Sequence, residues 1–68
     1  MGTLRINGKV QTFTEMPATM ADLLRRLGVD ATTVVAELDG LIIERKNFPG
    51  TPLNEGQNIE LVRFVGGG

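Results

Sequence analysis

The sequence predicts an α+β fold in which one helix packs on a single face of a mixed sheet of four to five strands. Two observations carry this prediction: apolar residues alternate with polar ones in several short segments, and one segment has apolar residues at helical spacing. With 68 residues the chain forms one domain, which we place at residues 1–65, followed by a flexible glycine tail at residues 66–68. A chain this short buries only about 60% of the surface that its unfolded state exposes.

The first two predicted strands form a hairpin. Leu4 and Ile6 alternate with polar residues, as in a strand with one buried face. Asn7-Gly8 follows, and this dipeptide favours a tight hairpin turn because both residues tolerate positive φ. Alternation resumes in residues 10–14, which are therefore predicted to be the returning strand.

A single amphipathic helix is predicted over Met20–Leu27. Its apolar residues share one helical face at positions i, i+3, i+4 and i+7, namely Met20, Leu23, Leu24 and Leu27. Thr19 is placed to cap the N-terminus, with Asp22 three residues later as a weak capping box. Gly28 is the residue expected just past the C-terminus.

A second hairpin is predicted around Asp39-Gly40, between the apolar segments Val34–Leu38 and Leu41–Ile43. The continuous apolar run indicates strands buried on more than one side. Residues 45–57 contain several proline and glycine positions and are predicted to be a looped crossing. The last strand is predicted over residues 58–64. One helix covers one face of this sheet, so the second face is expected to be only partly covered.

The composition leaves few ways to build a catalytic site from side chains. The sequence has no Cys, His, Ser, Tyr or Trp, so neither a Ser-His nor a Cys-His pair is possible. Zinc sites usually draw on Cys and His, so a metal site is not expected either. Nothing singles out a carboxylate pair among eight scattered acids. We therefore predict no catalytic side chain, no metal and no stably bound cofactor, and expect that other enzymes act on this chain.

Charge and hydropathy argue against nucleic-acid and membrane partners. Seven basic and eight acidic residues give a formal net charge of −1, without the clustered basic face that nucleic-acid binding needs. The longest aliphatic runs have three residues, far short of the ~18 that a spanning helix needs. The N-terminus has no apolar signal core. These observations lead us to expect a soluble cytoplasmic protein.

The ending Gly66-Gly67-Gly68 is the most informative feature of the sequence. At an average glycine usage of roughly 7%, such a triplet at a chosen site arises by chance about once in several thousand chains. A tail without Cβ atoms can pass through a channel too narrow for other residues, and it ends in a carboxylate that can be activated. The alternative interpretation is a frayed chain end or a cloning remnant. Against that alternative, the tail directly continues a predicted central strand through Phe64 and Val65.

Val62 and Phe64 form the second candidate site. If Ile59 and Leu61 face the helix, the alternation of the strand turns Val62 and Phe64 outward, beside the tail. One interpretation is a docking patch for a partner that receives the tail. The other interpretation is a pair of ordinary strand residues, partly covered by a loop.

On these features the chain resembles the ThiS family, the sulfur carriers of thiamin thiazole synthesis, whose fold is the ubiquitin-like β-grasp. The matching segments are Asn7-Gly8, Leu27-Gly28, the hairpin of residues 34–43, Pro52-Leu53-Asn54-Glu55-Gly56 and the ending, residues 59–68. The ending is the specific part. Asp39-Gly40 stands where Asn-Gly is usual, Gly56-Gln57 stands where Gly-Asp is usual, and Phe48 stands in the place of an aromatic residue that is often Trp.

The resemblance implies a mechanism. A ubiquitin-activating-type adenylyltransferase, similar to ThiF, would consume ATP to adenylate the carboxylate of Gly68. Sulfur from a cysteine desulfurase route would then replace the adenylate, and a ThiG-like thiazole synthase would take sulfur from the resulting thiocarboxylate. Gly67 and Gly68 match the terminal pair of the family, and Gly66 is a frequent addition.

Two other functions compete with the thiamin sulfur carrier. One is a related β-grasp carrier such as the small subunit of molybdopterin synthase, a family that tends to be longer. The other is a non-catalytic β-grasp module that binds proteins and whose glycine tail does no chemistry.

Overall fold

The computed structural model describes residues 1–64. In that range the strands are β1 (Gly2–Ile6), β2 (Lys9–Phe13), β3 (Val34–Leu38), β4 (Leu41–Ile43) and β5 (Asn58–Arg63), and the helix is α1 (Met20–Leu27). Short 3₁₀ helices span Ala31–Thr33 and Arg45–Gly50. The strands form one sheet in the order β2-β1-β5-β3-β4, with β1 parallel to β5 and the other neighbours antiparallel. The predicted fold, one main helix on a mixed sheet, is confirmed.

Both predicted hairpin turns are formed. Asn7-Gly8 joins β1 to β2, and Asp39-Gly40 joins β3 to β4, each as a two-residue loop. All four residues have positive φ, between 49° and 87°. Positive φ at both central residues defines the type I′ turn, whose twist matches that of the flanking strands. Local sequence alone therefore determines these two connections.

The helix α1 begins and ends at the residues that the sequence predicts. At its start, Thr19 Oγ1 accepts a hydrogen bond from the Asp22 N–H at 3.1 Å, and Asp22 Oδ2 accepts one from the Ala18 N–H at 3.0 Å. The Ala18 N–H, together with the neighbouring guanidinium of Arg25, holds the pKa of Asp22 below its ordinary value. At its end, Gly28 adopts the left-handed conformation with φ of 71°.

The core lies between α1 and one face of the sheet. Its buried apolar side chains are Leu4, Ile6, Met20, Leu23, Leu24, Val34, Ala36, Phe48, Leu53 and Ile59. Leu27, the last residue of the helical stripe, is only partly buried. Within residues 1–64 no polar or charged side chain is buried. None of the helices in this range is long and apolar enough to cross a membrane.

The crossing from β4 to β5 contributes more to the core than a loop would. Its 3₁₀ helix buries Phe48, which is 2% exposed. Backbone hydrogen bonds then attach the crossing to the chain before α1, because the Leu53 N–H donates to the Ala18 carbonyl at 3.0 Å and the Met20 N–H donates to the Thr51 carbonyl at 2.9 Å. The sequence signal for this packing is an aromatic residue in a segment rich in proline and glycine.

The strand β4 departs from its prediction. The continuous apolar run predicts strands buried on more than one side, and this is wrong for β4: Leu41 and Ile42 are 71% and 69% exposed. Because β5 lies in the middle of the sheet, β4 is left at an edge with β3 as its neighbour. Of its residues, Ile43 packs against the core.

Residues 39 and 57 both differ from the residue types that are usual in the family that the chain resembles, and their side chains are in contact. Asp39 Oδ2 accepts a hydrogen bond from Gln57 Nε2 at 3.2 Å, and Asp39 Oδ1 accepts one from the Asn58 N–H at 2.9 Å. The usual pattern has an amide (Asn) at position 39 and a carboxylate (Asp) at position 57. Here the carboxylate is on residue 39 and the amide on residue 57, so the contact still has one donor and one acceptor. The Asp39-Gly40 turn is thereby attached to the start of β5.

Candidate functional site

The candidate site is built on β5, the central strand. Its parallel pairing with β1 ends at Ile6 opposite Ile59. Its antiparallel pairing with β3 continues as far as Arg63, and the Phe64 N–H donates to the Thr33 carbonyl at 2.8 Å. The strand is therefore held by β3 up to the last residue that the structure describes.

The side chains of β5 alternate between the two faces of the sheet as predicted. Ile59 is fully buried and Leu61 packs partly buried against the core. Val62 and Phe64 are 56% and 57% exposed. The exposure that docking requires is therefore present, and the docking role itself stays a prediction.

Two further apolar residues, which the sequence interpretation did not include, lie beside Val62 and Phe64. Val35 is directly opposite Val62 in the β3–β5 ladder, so both lie on the same face of the sheet. Val35, Ile42 and Phe64 line one groove with a volume of about 270 Å³. We refer to Val35, Ile42, Val62 and Phe64 as the open-face patch. Period-two alternation on β3 and β4 indicates which residues share a face within each strand, but the place of Val35 and Ile42 beside Val62 and Phe64 depends on the pairing of the strands.

Farther from the tail, the same face carries negative charge. Glu37 and Glu60 are directly opposite each other in the β3–β5 ladder. Like charges in this arrangement are destabilising, so the pair favours the approach of a cation. Along β3 and β5 this face is thus apolar at the end nearer the tail and carries two acidic side chains farther away, beyond which Arg5 of β1 lies opposite Asn58.

The glycine tail lies outside the described residues. Val65, Gly66, Gly67 and Gly68 follow Phe64 in the sequence, and the predicted domain boundary, the activation tail and the attachment site all fall on them. What the structure provides is the position from which the tail starts, the end of the central strand.

The pKa shifts in the described range have a structural origin. The pKa of Asp22 is lowered chiefly by the Ala18 N–H, and the pKa of Asp30 is lowered chiefly by hydrogen bonds from Thr32. Both carboxylates lie at helix starts: Asp30 caps the 3₁₀ helix that follows it, and Asp22, in the first turn of α1, binds the Ala18 N–H just before the capping residue Thr19. Among residues 1–64 no three His, Cys, Asp or Glu side chains come together as a metal site requires.

Nearly the whole chain is similar to known proteins. The profile of the ThiS family matches residues 4–68. The crystal structure of the thiamine biosynthesis protein ThiS from Geobacter metallireducens is similar with a TM-score of 0.84 and 35% identity, covering 97% of this chain and 99% of that one. The solution structure of a thiamine biosynthesis protein from the same organism has a TM-score of 0.79 and 35% identity, covering 97% and 87%.

A curated relative is much longer than this chain. A thiazole synthase from Paramagnetospirillum magneticum is 35% identical over 65 residues, which is 96% of this chain and 20% of the relative. The chain therefore spans about a fifth of the length of the curated relative that it matches.

Proposed function

Because the chain belongs to the ThiS family, we propose that it is a sulfur carrier of thiamin biosynthesis and that its working group is the carboxylate of Gly68. The likeness to the thiamine biosynthesis protein ThiS over 97% of the chain supports the pathway. The observation that carries the chemical proposal is the position of β5. It is the central strand, and the sequence continues from its end through Val65 into three glycines.

The proposed chemistry uses a carboxylate because the sequence has no cysteine to hold sulfur as a persulfide. A carboxylate oxygen is a poor leaving group. A ThiF-like adenylyltransferase of the ubiquitin-activating type would transfer AMP from ATP to the carboxylate of Gly68 and release pyrophosphate. A cysteine desulfurase route supplies sulfur as a persulfide, and a thiol reductant would release it as sulfide and be oxidised to a disulfide. The sulfide would then attack the acyl carbon and AMP would leave, so that a thiocarboxylate remains.

A ThiG-like thiazole synthase is the proposed acceptor of that sulfur. The curated thiazole synthase that contains a segment similar to this chain supports the partnership, because two parts of one polypeptide meet at high effective concentration. The comparisons match thiamin proteins, so they favour this pathway over the alternative carrier of molybdopterin synthesis. We propose that the open-face patch contacts both the adenylyltransferase and the thiazole synthase while the tail enters their active sites.

A reconstituted loading reaction tests the proposed function. The chain is incubated with ATP, a sulfide donor and a cognate ThiF-like adenylyltransferase, and its intact mass is measured with and without ATP. We expect a gain equal to one exchange of oxygen for sulfur, and only when ATP is present. If no cognate adenylyltransferase produces the exchange, the alternative of a non-catalytic binding module replaces the carrier proposal.

We expect Phe64→Asp to weaken binding to both partner enzymes by about tenfold or more, as loss of a central apolar anchor does. Phe64 is 57% exposed, so the free energy of unfolding should change by only about 0.5 kcal/mol. Isothermal titration calorimetry with each enzyme measures the dissociation constants, and thermal melting measures stability.

The chain offers a matched control for this substitution. Leu41 is also a large apolar residue and is 71% exposed, but it lies at the Asp39-Gly40 turn, opposite Leu38 and outside the open-face patch. We expect Leu41→Asp to leave both dissociation constants unchanged. Equal weakening by the two variants, or none by Phe64→Asp, would contradict the docking role.

A further inference from the structure

The pairing of β1 with β5 is short, and the rest of that edge of β5 has no backbone partner in β1. The parallel ladder ends at Ile6 and Ile59, after which the Asn7 N–H donates to the Ile59 carbonyl at 2.9 Å. The chain then turns away into β2, whereas β5 continues to Arg63. From Leu61 onward, no residue of β1 is left to pair with this edge.

The side chain of Asn7 fills the missing place. Its Oδ1 accepts a hydrogen bond from the Leu61 N–H at 2.7 Å, and its Nδ2 donates to the Leu61 carbonyl at 3.2 Å. A side-chain amide has the same kinds of donor and acceptor as a peptide group. In a longer parallel ladder these two bonds to Leu61 would come from two different residues of β1, one accepting and one donating. The side chain of Asn7 supplies both and thereby extends the pairing by one position toward the tail.

Few residue types can serve both as the turn residue and as this hydrogen-bonding partner. The φ of Asn7 is 50°, in the left-handed region where Gly, Asn and Asp are favoured. Glycine has no side chain to reach Leu61. Aspartate can accept from the Leu61 N–H but, as a carboxylate, cannot donate to its carbonyl. Of these three types, asparagine alone meets every requirement at this position.

The second hairpin provides an internal comparison. Asp39 is also a turn residue with positive φ, and its carboxylate accepts hydrogen bonds from the Asn58 N–H and the Gln57 side chain. These contacts hold the start of β5. Asn7 instead holds Leu61, the residue next to Val62 of the open-face patch. The two turn residues thus fix one strand at different distances from the tail.

We propose that Asn7 is a positioning residue for sulfur loading, because its side chain fixes the part of β5 from which the open-face patch and the tail are presented. Without its two hydrogen bonds, β5 from Leu61 onward is held by β3 alone. The strand end then samples more orientations, and fewer encounters with the adenylyltransferase are productive. The consequence for loading rests on the proposed function, whereas the effect on β5 does not.

Three variants distinguish an effect of Asn7 on the position of the end of β5 from an effect on the stability of the whole fold. Asn7→Gly and Asp39→Gly form a matched pair: glycine keeps the positive φ of each turn, and each variant removes two side-chain hydrogen bonds at β5 or just before it. They differ in whether the lost bonds lie near the tail or at the start of the strand. Asn7→Asp is the rescue variant, because it keeps the acceptor for the Leu61 N–H.

Amide hydrogen exchange measured by NMR tests the structural part without any partner enzyme. Asn7→Gly should speed exchange of the Leu61 N–H by at least about fivefold, as expected for the loss of an ordinary hydrogen bond. Asp39→Gly should speed exchange at Asn58 instead. Unchanged exchange at Leu61 in Asn7→Gly would overturn the inference, whatever the loading reaction shows.

Initial rates of loading test the functional part, at a temperature at which melting curves show all variants to be folded. We expect Asn7→Gly to raise the KM for the carrier by about threefold to tenfold with little change in kcat, the range that one or two lost hydrogen bonds produce. Asp39→Gly should leave KM unchanged, and Asn7→Asp should be intermediate. An equal rise in both glycine variants would assign the effect to stability and overturn the positioning role. If the wild-type chain does not load, the proposed function fails, and the exchange experiment alone decides whether Asn7 fixes β5.

Discussion

Deletion of Gly68 is expected to abolish sulfur loading and to leave the melting curve unchanged. The chain that ends at Gly67 still has a terminal carboxylate, but that group lies one residue, at most about 3.6 Å, closer to the folded body. The buried side chains of the described range run from Leu4 to Ile59, and Gly68 has no side chain to add to that core, so we expect its deletion to cost no stability. The mass assay with and without ATP measures loading, and circular dichroism measures melting.

Replacement of Gly67 by a bulky residue should also abolish sulfur loading and leave the melting curve unchanged. Gly67→Val keeps the length of the tail but adds a branched side chain next to the reacting carboxylate, in a channel that we expect to admit only glycine. Gly50→Val is the control and should load like the wild type, because a Cβ at Gly50 meets no atom within 4 Å. Loading of the chain that ends at Gly67, or of Gly67→Val, as efficiently as wild type would contradict the proposed attachment site.

Leu24→Ala is expected to remove most of the free energy of unfolding. Leu24 is 1% exposed in the core beneath α1, and truncation of such a residue costs about 2–5 kcal/mol. A domain of this size has a net stability of only ~3–5 kcal/mol, so the substitution should remove most of that stability. Denaturant titration followed by circular dichroism measures the free energy of unfolding.

Leu27→Ala is the matched control for that substitution. Leu27 belongs to the same helical stripe but is only partly buried, so its truncation should cost clearly less. A wild-type melting curve for Leu24→Ala, or equal losses for the two variants, would show that the helix does not pack on the sheet as described.

Much of the fold was predictable because its signals are local. The turns at Asn7-Gly8 and Asp39-Gly40 and the cap at Gly28 each depend on the φ of one or two residues. The helical stripe depends on spacing within eight residues. Such features are decided by nearby atoms, so sequence pattern and structure agree on them.

The exposure of β4 was not predictable from the same signals. Leu41 and Ile42 read as buried because they are apolar, and only the order of strands in the sheet shows that they lie at an edge. The two hydrogen bonds between Asn7 and Leu61 are likewise long-range, since the residues are 54 positions apart in the sequence. No local pattern encodes contacts of this kind.

The candidate site, like the fold, was predictable where its signals are local and not where they depend on pairing between strands. The outward phase of Val62 and Phe64 follows from the alternation along one strand and is confirmed by their exposure. Val35 and Ile42 were missed because their membership of the open-face patch depends on pairing between strands. Sulfur attachment at Gly68, beyond the described residues, stays a prediction.

The central claim is that sulfur resides on the carboxylate of Gly68, and peptide mapping of the loaded chain tests it most directly. Trypsin cleaves after Arg63 and releases residues 64–68 as a separate peptide. Tandem mass spectrometry of a digest made after the reaction with ATP then locates the exchange. The account predicts one oxygen replaced by sulfur in this peptide, on its last residue, and none in the sample without ATP. An exchange in any other peptide, or a fully oxygenated Gly68 carboxylate in a chain that has gained sulfur, would contradict it.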